Sequence, residues 1–307
     1  MKMIKIKVVG VGGSGGNAIS RMKKLKIEGV ELIAINTDYQ DLKKIKADLK
    51  LRIGRKITQG LGTGMKPEIG EAAARENKEE ISALLKGADM VFITYGGGGG
   101  TGSGAGPIVA EIAKNLGVLT VAIVTTPFSF EGQTRMKIAK EWLERLREKV
   151  DSLICIQNDK LLEALDPKTT VISAFWYCDD ILREAVRGIS DLITLPGIIN
   201  VNWADIKTVL KDSGTALFGQ GQARGEKRAK DAAQNAISSP LLDISPKGAR
   251  GILFNVSGKD VSLAEIEEIG KILTQEINPE AKVIFGAIQD EKLKKEEIKV
   301  TVIATGF

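Results

Sequence analysis

The chain has 307 residues, of which 34 are glycine, two are cysteine and none is histidine. The absence of histidine excludes Ser-His-Asp and Cys-His relays, a histidine general base and zinc sites built on imidazole. Lysine and arginine number 44 against 39 acidic residues, so the net charge is +5. The length predicts about two domains. We therefore expect a globular protein whose chemistry depends on carboxylates, amides and the backbone.

The basic residues are spread along the chain, so no nucleic-acid partner is predicted. The one tight basic cluster is interpreted as a solvated helix face and contains Arg21, Lys23, Lys24 and Lys26. Cys155 and Cys178 have no C-x-x-C partner, which predicts buried, reduced thiols in a cytoplasmic protein. No apolar window is long enough to span a bilayer, so direct membrane insertion is not expected.

The first half of the chain alternates β-branched runs with helical patterns, which predicts an α/β fold with a parallel sheet and helices on both faces. The predicted strands are Ile4–Val9, Val30–Asn36, Met90–Tyr95, Leu119–Thr125 and Leu153–Gln157. The predicted helices cover about 17–27, 67–86, 106–116 and 134–148.

A long amphipathic helix is predicted next, over Val171–Leu192, and Pro196 with Gly197 should end it. A second composition regime begins near Lys207. It contains a capped helix over Ser262–Ile277 and strands at Ile252–Ser257, Lys282–Gln289 and Ile298–Thr305. Strands grouped around one helix predict a smaller α+β domain with a mainly antiparallel or mixed sheet.

The first glycine loop, Gly10–Asn17, follows a predicted strand and opens a predicted helix. It matches G-x-G-x-x-G, in which glycines let a helix N terminus approach a phosphate. Asp38 lies at the end of the second strand, where a dinucleotide-binding enzyme would hold the ribose of NAD. An NAD-dependent oxidoreductase is therefore an alternative.

The second glycine loop, Gly96–Gly104, reads GGGGGTGSG and follows the strand that ends at Tyr95. A bare backbone suits a loop that wraps phosphates, and Thr101 and Ser103 would add hydroxyl donors. Two such loops at neighbouring strand ends predict a polyphosphate at the carboxyl edge of the sheet. The pattern G-x-x-x-x-G-K-[ST] is absent, so a P-loop NTPase is excluded.

GGGGGTGSG resembles the GGGTGTG signature of tubulin and FtsZ, and the first loop resembles the GVGGGGGNA of FtsZ. Five further stretches are similar and occur in order: AINTD, GLGTGMKPEIG, TTPFSFEGQTR, NDKLLE and GISDLITLPGIINVNWAD. The chain is thus identified as a member of the tubulin/FtsZ family over nearly its whole length. The resemblance implies a GTP-binding domain over 1–170, a central helix and catalytic loop over 171–206, and a C-terminal activation domain over 207–307.

The resemblance also implies which residues hold the nucleotide. Phosphate contacts would come from Gly12, Gly13, Asn17, Gly98, Gly99, Gly100, Thr101 and Gly102. Glu131 and Arg135 would contact the ribose and phosphate side, with a simple surface ion pair as the alternative. Asn158 would help to hold the ribose or the base.

Phe175 would stack on guanine, and Asp179 would accept hydrogen bonds from guanine N1 and the 2-amino group. Residues four apart share one helix face, so the two side chains can act together. Adenine lacks this pair of donors, and GTP is therefore favoured over ATP. The alternative is that Phe175 and Trp176 are core residues on a buried helix.

The family carries N-x-D-x-x-D after the central helix, in a loop that completes the site of the next subunit. Here Asp205 keeps the second acid, but Asn202 replaces the first. An amide can hydrogen-bond to a water molecule but cannot take its proton. We predict that Asp205 polarises the water, that Asn202 orients it, and that GTP hydrolysis is slowed but retained.

The function implied by the resemblance is that of a cytoplasmic, cytoskeletal GTPase that polymerises head to tail and acts in cell division. GTP or GDP would be bound with Mg²⁺, for which no protein ligand is predicted. The partner would be the chain itself. Without the family's linker and C-terminal peptide, no membrane adaptor is predicted. A divergent homologue that polymerises but hydrolyses GTP poorly, as a scaffold, is a second alternative beside the oxidoreductase.

Overall fold

The computed structural model describes residues 4–25, 27, 29–163, 165–166, 168–195, 197–238, 247–275 and 277–307. The chain divides into two compact units, Met1–Arg187 and Gly188–Phe307. Within the described residues, no helix has the length and apolar character that a membrane span requires.

Six strands form a parallel sheet in the described part of the first unit, in the order β3-β2-β1-β4-β5-β6. Their bounds are β1 Ile6–Val11, β2 Val30–Asn36, β3 Leu49–Arg52, β4 Met90–Gly96, β5 Leu119–Thr126 and β6 Ser152–Gln157. β4 is buried along nearly its whole length, as expected for a strand covered on both faces. The order reverses between β1 and β4, and ligands of parallel sheets bind at such a switch point.

The helices of the first unit connect these strands. They are α1 Gly12–Leu25, α2 Tyr39–Lys44, α3 Arg55–Thr58, α4 Pro67–Glu76, α5 Lys78–Leu85, α6 Gly100–Asn115, α7 Gln133–Arg147, α8 Asn158–Glu163 and α9 Val171–Thr194. The boundary between the units falls within α9. The predicted helix stop at Pro196 lies outside the described residues. α1 and α6 follow the two strands at the switch point, so both glycine loops meet there.

The second unit contains a mixed sheet in the order β7-β10-β8-β9, in which β10 is antiparallel to both neighbours and β9 is parallel to β8. The strands are β7 Gly214–Arg224, β8 Gly251–Gly258, β9 Lys282–Gln289 and β10 Glu297–Thr305, and the helices are α10 Trp203–Leu210, α11 Arg228–Ile237 and α12 Leu263–Thr274. Ser262 and Glu265 form a capping box that starts α12. The predicted fold class, a parallel α/β domain and a smaller α+β domain, is confirmed.

α1 and α6 begin at Gly12 and Gly100, earlier than predicted, because the glycines belong to the helices instead of preceding them. A Cβ atom on Gly104 would lie 1.9 Å from the Pro67 carbonyl oxygen, and one on Gly106 would lie 2.3 Å from the Tyr95 ring. These glycines therefore let α6 pack directly on α4 and β4. The second glycine run has a packing role that its sequence did not indicate.

Candidate nucleotide site

A cavity of about 320 Å³ opens at the switch point of the parallel sheet. Its walls come from the carboxyl ends of β1, β4 and β5, the first turns of α1 and α6, and one face of α9. All of its lining residues lie in the first unit. The cavity thus joins two glycine-rich helix starts to an aromatic and acidic helix face.

The end of the cavity at which phosphates are predicted, called the phosphate end below, is formed by Gly12 and Gly13 of α1 together with the stretch 99–102 at the start of α6. The first backbone N–H groups of a helix have no partner within the helix and attract anions. Gly12 has a φ of +73°, and a Cβ atom there would lie 3.0 Å from the Gly102 nitrogen. The two helix starts are therefore in direct contact and present their amides to one volume.

Two residues predicted for this end do not line the cavity. Asn17 is exposed on α1. Gly98 packs closely on Arg135, because a Cβ atom built on Gly98 would lie 2.7 Å from the Arg135 carbonyl oxygen. The Gly98 N–H instead donates to Ser103 Oγ at 3.1 Å. Ser103 is fully buried, so its hydroxyl supports the loop and is not the exposed phosphate donor that we expected.

Three hydroxyl groups meet beside the phosphate end. Thr101 Oγ1 lies 2.7 Å from Thr37 Oγ1 and 3.5 Å from Thr63 Oγ1. Ser14, which replaces a glycine of the family pattern, accepts a 2.7 Å hydrogen bond from the Gly96 N–H. Thr63 and Ser14 line the cavity and were missed, although both lie within stretches that resemble the family.

Glu131 and Arg135 both line the cavity and also pair with each other, with 2.8 Å between Glu131 Oε2 and Arg135 Nη1. Glu131 Oε1 accepts a hydrogen bond from the Phe128 N–H, which holds the carboxylate in place. Asn158 is 4% exposed, and its Oδ1 accepts no hydrogen bond from the described residues. A buried acceptor without a partner is costly, so its place on the cavity wall points to a ligand.

The opposite end, at which the base is predicted and which is called the base end below, is lined by α9. Phe175 is 40% exposed and packs edge to face on the Phe128 ring, with 5.3 Å between the ring centroids. Trp176 is 60% exposed, so the alternative that Phe175 and Trp176 are core residues is wrong. Burial raises the pKa of Asp179 to about 6, and the nearby Asp180 charge adds to the rise while Arg21 opposes it.

Cys178 precedes Asp179 on α9 and also lines the cavity. Burial is the main cause that raises the pKa of its thiol to about 12. The thiol is therefore neutral near pH 7 and adds an apolar surface to the base end. The sequence-based prediction of a buried Cys178 thiol is confirmed, but the sequence did not indicate that the thiol lines a site.

Asn202 and Asp205 lie at the start of α10 in the second unit. Asn202 is the N-cap residue, and its Oδ1 accepts a 2.8 Å hydrogen bond from the Asp205 N–H. Asparagine and aspartate are nearly equal as N-caps. The asparagine therefore preserves the helix start while it removes a negative charge from the loop.

We expect Asn202→Ala to lower the free energy of unfolding by about 1 kcal/mol, because the Asp205 N–H loses its acceptor. Asn202→Asp should keep the cap and change stability by less than about 0.5 kcal/mol. Urea unfolding followed by circular dichroism measures both. An equal loss in the two variants would show that the cap is not what residue 202 contributes.

No group of three or more His, Cys, Asp or Glu side chains that could hold a metal ion occurs in the described part of the chain. Mg²⁺ in nucleotide sites is held largely by phosphate oxygens and water, with only one or two protein ligands. The hydroxyl oxygens of Thr63 and Thr101 at the phosphate end could serve as such protein ligands. The site thus fits an ion that arrives with the nucleotide.

The sheet order, the two glycine-rich helix starts and the base end together define a tubulin-like GTPase domain followed by a smaller domain. Residues 5–166 match the family model for the GTPase domain of the Tubulin/FtsZ family, and residues 214–307 match that for the FtsZ C-terminal domain. The chain belongs to the FtsZ family. This excludes the oxidoreductase alternative, and the Asp38 carboxylate caps α2 by accepting from the Asp41 N–H at 2.9 Å.

The relatives cover nearly the whole chain. Cell division protein FtsZ 1 of Thermococcus kodakarensis is 51% identical over 302 residues, which are 98% of this chain and 80% of the relative. Cell division protein FtsZ of Pseudomonas aeruginosa is 52% identical over 304 residues, covering 98% and 77%.

Solved structures are similar over nearly the whole chain. An empty FtsZ dimer of M. jannaschii superposes with a TM-score of 0.94 at 48% identity, covering 99% of this chain and 89% of the other. A GTPγS-bound protofilament of CetZ2 from Haloferax volcanii has a TM-score of 0.81 at 22% identity, covering 98% and 92%, and shares the fold.

Proposed function

We propose that this chain is a cytoplasmic GTPase that polymerises head to tail into filaments and acts in cell division. The observation that carries the proposal is a cavity that joins two helix N termini to Phe175 and Asp179. Its phosphate end suits a polyphosphate, and its base end suits guanine. The FtsZ relatives, which are cell division proteins by name, support the cellular role.

In the proposed complex, the amides of Gly12, Gly13 and the stretch 99–102 hold the phosphates. Asn17 and Gly98 do not line the cavity, and the Gly98 N–H donates to Ser103 Oγ instead. Asn158 Oδ1 accepts from the ribose or the base, and Arg135, held by Glu131, faces the ribose and phosphate side. Mg²⁺ would neutralise charge on the phosphates, next to the Thr63 and Thr101 hydroxyls.

The base is recognised by a stack and a pair of acceptors. Phe175 offers a partly exposed ring, and Asp179 offers two carboxylate oxygens one helical turn later. Guanine places two N–H donors side by side on the matching edge, and adenine does not. The carboxylate therefore selects GTP over ATP.

Hydrolysis requires a second subunit in this proposal. Asp205 from the neighbouring chain polarises a water molecule that attacks the γ-phosphate, so that the bond to the β-phosphate oxygen breaks and GDP leaves. The Oδ1 of Asn202 accepts one hydrogen bond in the helix cap, and its side-chain N–H donors remain to orient the water. Similarity to an FtsZ dimer supports self-association.

Sedimentation with GTP, GDP, ATP or NAD, combined with phosphate release, tests the proposal. We expect the protein to pellet with GTP and to release phosphate under the same conditions in which it pellets. With ATP or NAD we expect neither pelleting nor phosphate release. Filaments without phosphate release would favour the scaffold alternative. No pelleting with any nucleotide at any protein concentration would contradict the proposed function.

A further inference from the structure

The surroundings of Asp179 contain a second charged residue that the proposed site does not yet use. Arg21 lies on α1, and its Nε is 3.0 Å from Asp179 Oδ2. Both side chains are largely buried, with 23% and 14% of their surfaces exposed. A carboxylate oxygen has two lone pairs, so Oδ2 can accept from Arg21 and from a ligand together.

Arg21 is itself held in place by α9. Its Nη1 donates a 3.0 Å hydrogen bond to the Trp176 carbonyl oxygen, and its guanidinium carbon lies 4.9 Å from the centroid of the Trp176 ring. The planar guanidinium group makes these contacts and the Asp179 contact in one fixed orientation. Trp176 is otherwise exposed at 60%, and its contact with Arg21 gives this surface aromatic a role.

We propose that Arg21, held by Trp176, is the positioning residue for base recognition, and that it keeps the Asp179 carboxylate as an acceptor of two hydrogen bonds from guanine. Arg21 acts through Asp179 and the inference rests on the proposed function. Because α1 also begins at the phosphate end, with Gly12, the same helix aligns both ends of the cavity.

The chemistry of the carboxyl group explains why an arginine is needed. A protonated carboxyl group offers one donor and one acceptor, which does not match the two donors of guanine. Among the residues that the structure describes, the charged groups that act on Asp179 are Arg21 from α1, which favours the ionised form, and Asp180 from α9, which disfavours it. The neighbouring Cys178 thiol stays neutral near pH 7. Removing Arg21 therefore leaves burial and Asp180 unopposed.

The test compares binding of GTP and inosine triphosphate, which lacks the 2-amino group, by calorimetry between pH 5 and pH 8. The unmodified chain should prefer GTP by about tenfold at pH 7.5, and its GTP affinity should fall as the pH falls through about 6. In Arg21→Gln the preference should fall below about threefold, and the midpoint should move up by about one pH unit. Arg21→Lys keeps the positive charge but lacks the planar guanidinium group. Its pH midpoint for GTP binding should therefore match that of the unmodified chain, while its preference for GTP over inosine triphosphate should be only partly restored.

Lys24→Gln makes the same charge change on the same helix, at an exposed position, and serves as the matched control. It should bind like the unmodified chain, and circular dichroism checks that all variants fold. If Arg21→Gln weakens GTP and inosine triphosphate equally and keeps the midpoint, Arg21 is only structural and the inference is wrong, while the proposed function stands. If the unmodified chain binds no GTP at all, the proposed function itself fails.

Discussion

Replacing Asp205 with alanine should reduce GTP hydrolysis by at least about 100-fold, the usual effect of removing a general base. GTP binding should be unchanged, because the lining residues of the cavity all come from the first unit and do not include Asp205. Phosphate release and calorimetric GTP binding measure the two properties separately. Asp205→Asn, which keeps the size of the side chain, should be nearly as inactive.

Mixing variants tests whether the carboxylate acts on the neighbouring subunit. Asp179→Ala should bind no GTP, and Asp205→Ala should bind it without hydrolysis, so each is inactive alone. In a mixed filament, a GTP held by the Asp205→Ala chain meets an intact Asp205 of the other variant. Equimolar mixing should therefore recover phosphate release, and a mixture as inactive as its components would contradict hydrolysis between subunits.

Asn202→Asp adds a second acid without disturbing the α10 cap. It should increase the rate of hydrolysis, because phosphoryl transfer depends on water positioning and on charge near the γ-phosphate and Mg²⁺. An unchanged rate would show that the asparagine does not limit turnover. The assignment of Asp205 as the main water-polarising group would be unaffected.

Gly104→Ala should lower the free energy of unfolding by at least about 3 kcal/mol, a large part of the stability of a typical domain. The added Cβ atom would lie 1.9 Å from the Pro67 carbonyl oxygen and 2.7 Å from the Glu71 nitrogen. Both obstacles are backbone atoms of α4, so α6 can accommodate the methyl group only by moving away from it. Urea unfolding at equilibrium gives the free-energy change.

Gly270→Ala is the matched control, because Gly270 also lies inside a helix but has room. Its nearest neighbour would be the Phe254 Cζ at 3.6 Å, an ordinary van der Waals distance. The change should stabilise the protein by about 0.5–1 kcal/mol through the higher helix propensity of alanine. Equal effects at residues 104 and 270 would contradict the packing role of the glycines in α6.

The strands that sequence reasoning found best are those with continuous β-branched or alternating patterns. Val30–Asn36 and Lys282–Gln289 have the predicted bounds. β7, which contains Gly214, Gly219 and Gly221, was missed because glycine lowers strand propensity. β10 pairs along the length of β7, and such pairing is tertiary information that no local pattern contains.

The residues of the site likewise include some that local sequence could predict and some that it could not. The family resemblance pointed to Phe175 and Asp179, helical spacing predicted that they share one face of α9, and both line the cavity. Arg21 was interpreted only as part of a solvated basic face, because nothing in its local sequence indicates a partner 158 residues away. The N-cap role of Asn202 was also not predicted. The comparison with the family pattern treated the asparagine only as the replacement of an acid, and the start of α10 was not considered.

Because Asp179 is buried, nucleotide binding should depend on pH through the carboxyl group of this residue. Near pH 6, where this carboxyl titrates, proteins commonly owe their acid responses to imidazole, and this chain contains none. Nucleotide occupancy, and with it the mass of filament, should therefore fall as Asp179 becomes protonated, together with any change in the charge of the nucleotide phosphates. A titration of the polymer formed by the unmodified chain and by Arg21→Gln would then separate the contribution of this carboxyl group from that of the phosphates.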